Sequence, residues 1–289
     1  MTTARLAAGG VLALSIVIGT FADRAPERPA PRRVAGYEVL AGDFHVHAFP
    51  QTWSMLTPFE AVIEAGRQGL DVIAIVPHDR VWPSPLARWF AEWSGGPLVL
   101  TGEEITTAGY HLLGVGIERA VPTNLTAAAA IQAVHAQGGV AIAAHPYRLM
   151  WPAYDDEAMR ILDASEVVRP EVSRVPAAGD ELREFFSRAP LAAIGSSDDH
   201  GLGVIGFART IVFARERTAA GVLAAIRARQ TVVFDGDRAY GDAALVETAR
   251  NAGLATRYPV LPVPGRWRLV SRAVGVLGLL AFVLLGRKP

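Results

Sequence analysis

Through the middle of this chain short apolar runs alternate with amphipathic stretches, and that alternation restricts the fold more than any other feature. YEVLAGDFHVH is followed by the helical TPFEAVIEAGRQG, then by LDVIAIV, PLARWFAEWSG and PLVLTGEEI. The pattern continues through YHLLGVG, the helix NLTAAAAIQAVHAQGG, the strand VAIAAHP, a helix around Tyr154 to Leu162, ASEVV, a helix around Gly179 to Ser187, and LAAIGSSDD. TIVF, the helix TAAGVLAAIRARQ and TVVF close it. Runs such as VIAIV and VAIAA are apolar on both faces, as buried parallel strands are. Repeated βα units predict an α/β fold, either an open doubly wound sheet or a closed barrel. No glycine-rich phosphate loop follows the first strand, which weakens a nucleotide-binding reading. A length of 289 residues accommodates one barrel, for which ~250 is typical.

The residues with ligand chemistry fall just after the apolar runs. His45 and His47 end the first, His78 and Asp79 follow the second, Glu103 and Glu104 the third, His145 ends VAIAA, and Asp198, Asp199 and His200 follow LAAIGS. In a parallel barrel the carboxyl ends of the strands share one face, so these groups are expected to meet there. Each has an ordinary reading alone: a His-X-His pair on a solvated strand, a loop histidine, a helix-start carboxylate, a helix cap. Their coincidence at equivalent places is what predicts a site. His135, inside a helix, stands outside the pattern and reads as a surface or packing histidine. With no cysteine in the chain, any metal must be held by His, Asp and Glu, a donor set that suits zinc, manganese or iron.

These motifs resemble the PHP (polymerase and histidinol phosphatase) family of metal-dependent phosphoesterases. The resemblance runs from about Gly42 to Phe234 and rests on GDFHVH, GLDVIAIVPHDR, TGEEIT with YHLLGVG, GGVAIAAHPYR and GSSDDHG. It implies a distorted (βα)7 barrel holding two or three divalent ions on His45, His47, His78, Glu104, His111, His145, Asp198 and His200, with Glu104 as the bridge and Asp43 supporting from behind. It also implies that Arg148 grips a phosphate of the substrate. The implied activity is hydrolysis of a phosphate ester, with Asp198 orienting or deprotonating the water and His200 assisting the leaving group. The chain departs from the family at Pro77, where an aspartate is usual, and in AFPQTW, which lacks another. Both departures fall on the third metal site, so two firmly held ions and a weak or absent third are expected, unless Glu103 and Asp79 compensate. Metal-dependent amide or ester hydrolysis, or a tethered metal-binding module without turnover, are the alternatives. A serine hydrolase is disfavoured, because no Gly-X-Ser-X-Gly elbow occurs.

Charge narrows the partners. Twenty-eight Lys+Arg balance 28 Asp+Glu, so no global basic field gathers long nucleic acid. A small phosphorylated substrate is expected, with no protein partner. The organisation reads as a hydrophobic anchor or signal segment at 1–23, a Pro/Arg-rich linker at 24–35, the hydrolase domain at 36–240, an extension at 241–265 and a hydrophobic, transmembrane segment at 266–289. Leu6 to Ala22 carries no charge and serves as an anchor or a cleaved signal. Leu269 to Gly286 is broken only by Arg272, which is close enough to one end to snorkel. The shorter charge-free part, Ala273 to Gly286, also fits a core or interfacial helix. If both segments span, the termini share one side. The arginines flanking the domain favour a cytoplasmic face, while the signal-like amino terminus favours export. The expectation is a membrane-anchored, extracytoplasmic domain, with the cytoplasmic face as alternative.

Overall fold

The computed structural model describes residues 2–21, 32–50, 54–170, 176–257 and 265–286. Most of the expected linker, including Arg24 and Arg28, the end of AFPQTW, residues 258–264 of the extension, and Arg287 and Lys288 lie outside the described residues.

In chain order the elements are α1 (Thr3–Phe21), β1 (Arg32–Val34), β2 (Tyr37–Val46), α2 (Pro58–Arg67), β3 (Val72–Ile75), α3 (Ser84–Ser94), β4 (Leu98–Thr106), β5 (His111–Val115), α4 (Ala127–His135) and β6 (Val140–Ala143). After a 3-10 turn at Arg148–Ala153 come α5 (Asp156–Ile161), β7 (Ala164–Val168), α6 (Pro176–Phe186), β8 (Ala192–Gly195), β9 (Thr210–Ala214), α7 (Ala219–Arg227), β10 (Thr231–Asp235), β11 (Arg238–Gly241), α8 (Ala243–Asn251), α9 (Leu254–Arg257) and α10 (Arg266–Leu284).

The strands form one curved sheet in the order β11-β10-β9-β2-β3-β4-β5-β6-β7-β8, with β1 paired to β2. It nearly closes on itself: Thr210 of β9 meets Gly195 of β8, the Thr210 hydroxyl lying 2.9 Å from both the amide N and the carbonyl O. The result is an α/β barrel, and its sheet is mixed. Pairings β2–β3, β3–β4, β6–β7 and β7–β8 are parallel, whereas β4–β5, β5–β6, β2–β9 and β9–β10 are antiparallel. The uniformly parallel expectation fails at β5 because only four residues separate it from β4, too few for a crossover and enough for a hairpin.

Inside the barrel, Leu40, Phe44, Ala74, Leu113, Ile142 and Ile194 pack together, with α7 closing one end through Val222 and Ile226. Outside, Val39, Ala41 and Val46 of β2 meet α2 and α3 through Phe59, Val62 and Phe90. Phe44 and Val46 thus belong to opposite layers, and β2 shifts register between Asp43 and Val46. Such a bulge re-aims side chains, here turning His45 and His47 inward at the mouth opposite α7.

The two terminal helices, each 19 residues and apolar enough to cross a bilayer, pack antiparallel. Ser15 faces Gly275, Gly278 lies against Leu12, and Gly286 meets Arg5. Small residues at the contact let the backbones approach. The pair docks on α2. Arg268 Nη1 donates to Glu64 Oε1 at 2.6 Å, Ser271 Oγ lies 2.6 Å from Glu60 Oε1, and Arg67 donates to the Gly19 and Thr20 carbonyls. Arg272 does not snorkel: its guanidinium donates to the Gly201 carbonyl and sits 3.7 Å from Glu64 Oε2. Two carboxylates on a buried helix face require cations, and α10 supplies them.

Candidate metal centre

Ligand-type side chains from β2, β3, β4, β5, β6 and β8 converge at the mouth. The strand pairing continues into the site: His78 bridges Glu104 and Val46 bridges Asp199 as single parallel bridges. The Pro77 carbonyl accepts the Glu104 N–H at 3.1 Å, so the proline that replaces an aspartate still serves the ladder. His145 and Asp198 are held at φ +30° and +49°, a region that non-glycine residues enter at a cost and that recurs where a fold positions reactive groups.

Three groups of donors lie close enough to hold cations: His45, His47, Glu104 and Asp198; Glu104, His111 and His145; and His47, His78 and His200. Glu104 sits between the first two. Its Oε2 is 3.2 Å from His45 Nε2 and 3.3 Å from His47 Nε2, while its Oε1 is 2.8 Å from His111 Nδ1 and 3.2 Å from His145 Nε2. All eight residues of the expected ligand set are therefore brought together. The third group holds no carboxylate of its own, as the departures at Pro77 and AFPQTW imply. Glu103 and Asp79 do not compensate. Glu103 accepts the Val121 N–H on the other side of β4, and Asp79 Oδ1 accepts the Thr106 N–H at 2.8 Å.

The unshared electron pairs fit cations better than they fit one another. Asp198 Oδ1 is buried without a hydrogen bond, although His47 Nε2 is 3.0 Å and His45 Nε2 3.2 Å away. His145 Nδ1 is likewise buried and unpaired, and the His45 and His47 Nε2 atoms stand 3.0 Å apart. Nitrogen and oxygen donors converging in this way match the first coordination sphere of a divalent ion.

Behind the donors lies a layer that the sequence reading missed apart from Asp43. Fully buried Glu166 on β7 accepts His45 Nδ1–H at 2.8 Å, the His145 backbone N–H at 2.6 Å, and the Ser196 hydroxyl. A carboxylate on Nδ1 fixes the tautomer and leaves Nε2 for a ligand. Burial alone raises Glu166, but His45, Arg169 and His145 outweigh it and hold its carboxyl down at about 2. Arg169 donates to Asp198 Oδ2 at 2.5 Å. The Asp198 carboxyl likewise sits well below the usual range, because His45, His47 and Arg169 outweigh its burial. Asp43 accepts the amides of Gly206 at 2.7 Å, Ser197 at 3.1 Å and His45 at 3.2 Å, tying β2 to the β8–β9 loop. A lone charge in the strand run ASEVV was the available signal for Glu166, since a buried carboxylate must have partners.

Arg148 is the outlying member of the expected set. Its guanidinium donates to Glu184 at 2.6 Å and lies 5.0 Å from the Trp151 ring centre. His135 is apart from the donors, 2.7 Å from Asp163 Oδ2.

Comparisons with known proteins bear on the fold that carries this site. The family model described as PHP-associated matches residues 178–231. A crystal structure of a two-domain protein of Bacteroides vulgatus, described as containing a predicted PHP-like metal-dependent phosphoesterase, aligns with a TM-score of 0.63 at 21% identity. The alignment covers 79% of this chain and 74% of that one, and the likeness is one of fold. An uncharacterized protein of Methanocaldococcus jannaschii is 27% identical over 140 residues, 44% of this chain and 81% of its own length.

Proposed function

We infer that the chain is a member of the PHP family, and from that premise we propose that it is a membrane-anchored, metal-dependent hydrolase of phosphate esters. One observation carries the reading: Glu104 places one oxygen in each of two donor groups at the barrel mouth. Divalent ions bound there supply Lewis-acid chemistry, activating water and neutralising charge on phosphoryl oxygens. We assign ligation to His45, His47, His78, Glu104, His111, His145, Asp198 and His200, with the histidine-only group as the weaker third position.

The chain's own residues then have distinct tasks. Asp198, fixed by Arg169 through Oδ2, orients the attacking water and takes its proton. Half-buried His200 at the rim, its Nδ1–H donating to the Asp198 carbonyl at 3.0 Å, flanks the side from which the leaving oxygen departs. Glu166 keeps His45 in one tautomer. Arg148 reaches phosphate only by leaving Glu184, so its role belongs to a substrate-bound arrangement.

The anchor reading has its own support. Helix α1 gives carbonyls to Ser271 and Arg67, partners that cleavage of a signal would orphan. Arg268 and Arg272 face buried carboxylates, which takes two of the domain-side arginines out of the charge that favours a cytoplasmic domain; the extracytoplasmic placement we propose rests on the signal-like amino terminus.

The test is metal analysis of the full chain joined to a panel of phosphomonoesters, phosphodiesters and amides. Bound metal with phosphoester turnover is expected. Asp198→Asn should lower kcat by ~10²- to 10⁴-fold, the usual share of a positioned acid or base. Amide turnover alone would move the chain to amide hydrolysis, and bound metal without any turnover would make it a binding module.

A further inference from the structure

The terminal hairpin runs past one end of the barrel. Helix α2 starts at the mouth, after the loop that follows His47, and runs back toward the α7 end. Its first residues Thr57 and Glu60 lie against Ser15 and Gly275, whereas Arg67 at its far end reaches Gly19. The amino-terminal half of α1 and the carboxy-terminal half of α10 therefore extend beyond the mouth. From Ser15 to Thr3 that projection is roughly 18 Å at 1.5 Å per residue, too short to cross a ~30 Å hydrocarbon core and tipped by Arg5, so it reaches the headgroups and the outermost acyl chains. Leu6, Val11, Leu14, Leu277, Leu280 and Leu284 are exposed along the projecting half.

A second observation, independent of the helices, concerns the rim. Met55, Trp82, Leu149 and Leu202 are exposed large apolar side chains, with Leu149 at 73% and Leu202 at 68%. Each stands within eight residues after a proposed ligand, His47, His78, His145 and His200 respectively. A polar, charged centre is thus ringed by apolar side chains on four separate loops, an arrangement that water-soluble phosphates do not require. One of those loops is bonded to the anchor, since Arg272 of α10 holds the Gly201 carbonyl beside Leu202.

We propose that the mouth faces the bilayer and that the substrate is a phosphate ester carried by a membrane amphiphile, its headgroup entering the metal centre while its apolar part stays among the rim side chains and lipid. This rests on the hydrolase reading above and narrows its substrate class.

The test uses the full chain reconstituted in dioleoylphosphatidylcholine vesicles. The chain has no cysteine, so Leu202→Cys and Leu149→Cys each accept one environment-sensitive fluorophore. Glu216→Cys, exposed at the opposite end beyond β9, is the control. Doxyl-labelled phosphatidylcholine should quench the labels at 202 and 149 and spare the one at 216. With manganese or zinc supplied, dioleoylphosphatidic acid in the vesicles should be hydrolysed faster than dihexanoylphosphatidic acid by about tenfold in kcat/KM, equivalent to ~1.4 kcal/mol. Equal quenching at all three positions, or equal turnover of the two lipids, overturns the proposal and leaves the hydrolase reading standing. Quenching at the rim without turnover of any phosphoester overturns the hydrolase reading and the substrate class with it.

Discussion

Glu166 illustrates how a residue that touches no substrate governs the centre. It holds His45 by Nδ1 and His145 by its amide, so one carboxylate orients ligands of both donor groups that share Glu104. Glu166→Gln keeps the shape and removes the charge, and metal affinity should fall by ~10- to 100-fold in equilibrium dialysis; unchanged affinity would reduce Glu166 to packing. Glu103 is the counterpart on the other face of β4. Burial, with Asp79 adding to it, pushes its carboxyl up to about 7 from 4.5, against the Val121 amide. The folded chain therefore keeps a proton that the unfolded chain releases above pH 4.5. Stability should fall as pH rises from 4.5 to about 7 and then level off, a loss on the order of 3 kcal/mol. Glu103→Gln should flatten that slope in urea titrations at pH 5 and pH 8. The histidines and carboxylates at the strand ends were legible because chelating residue types recur at one place in a repeating unit. His111 needed the motif, and Glu166 and Arg169 escaped because a single charge in an apolar run names no partner.

At the scale of elements, the runs and their order were readable, and their directions were not. An apolar run such as VAIAA is buried on both faces whichever way its neighbours point, so hydrophobic pattern cannot tell the β5–β6 pair from a parallel one. The short link between Thr106 and His111 was the one sequence cue to an antiparallel turn. Close approach between those strands is also where the barrel is least forgiving. A Cβ on Gly102 of β4 would run into the Gly114 carbonyl of β5, and backbone cannot swing aside as a side chain can. Gly102→Ala should cost ~1–3 kcal/mol and displace Glu104 two residues on, so melting temperature and metal affinity should fall together. A loss of stability with metal binding intact would show that the strand end is held independently of the pairing below it.

For the whole molecule, the terminal helices are part of the fold as well as its tether. Arg268 and Glu64 are both buried, and removing one partner of such a pair leaves a charge without compensation. Arg268→Met should destabilise the full chain by ~3–5 kcal/mol, read as a lower melting temperature in detergent, although Arg272 nearby can take up part of the loss. The barrel as a body was foreseeable from length and alternation. The docking of its ends was not, because an arginine in an apolar helix reads equally well as reaching for water or for an acid elsewhere. That docking ties the order of synthesis to the order of assembly. Helix α1 leaves the ribosome before the barrel and α10 after it, yet each completes the other across Ser15, Ser271 and Gly275. The clasp can shut only once translation has passed both, so a nascent chain cut short in the barrel after α2 keeps an unmated α1 and bare acids on α2, a form that quality control can recognise.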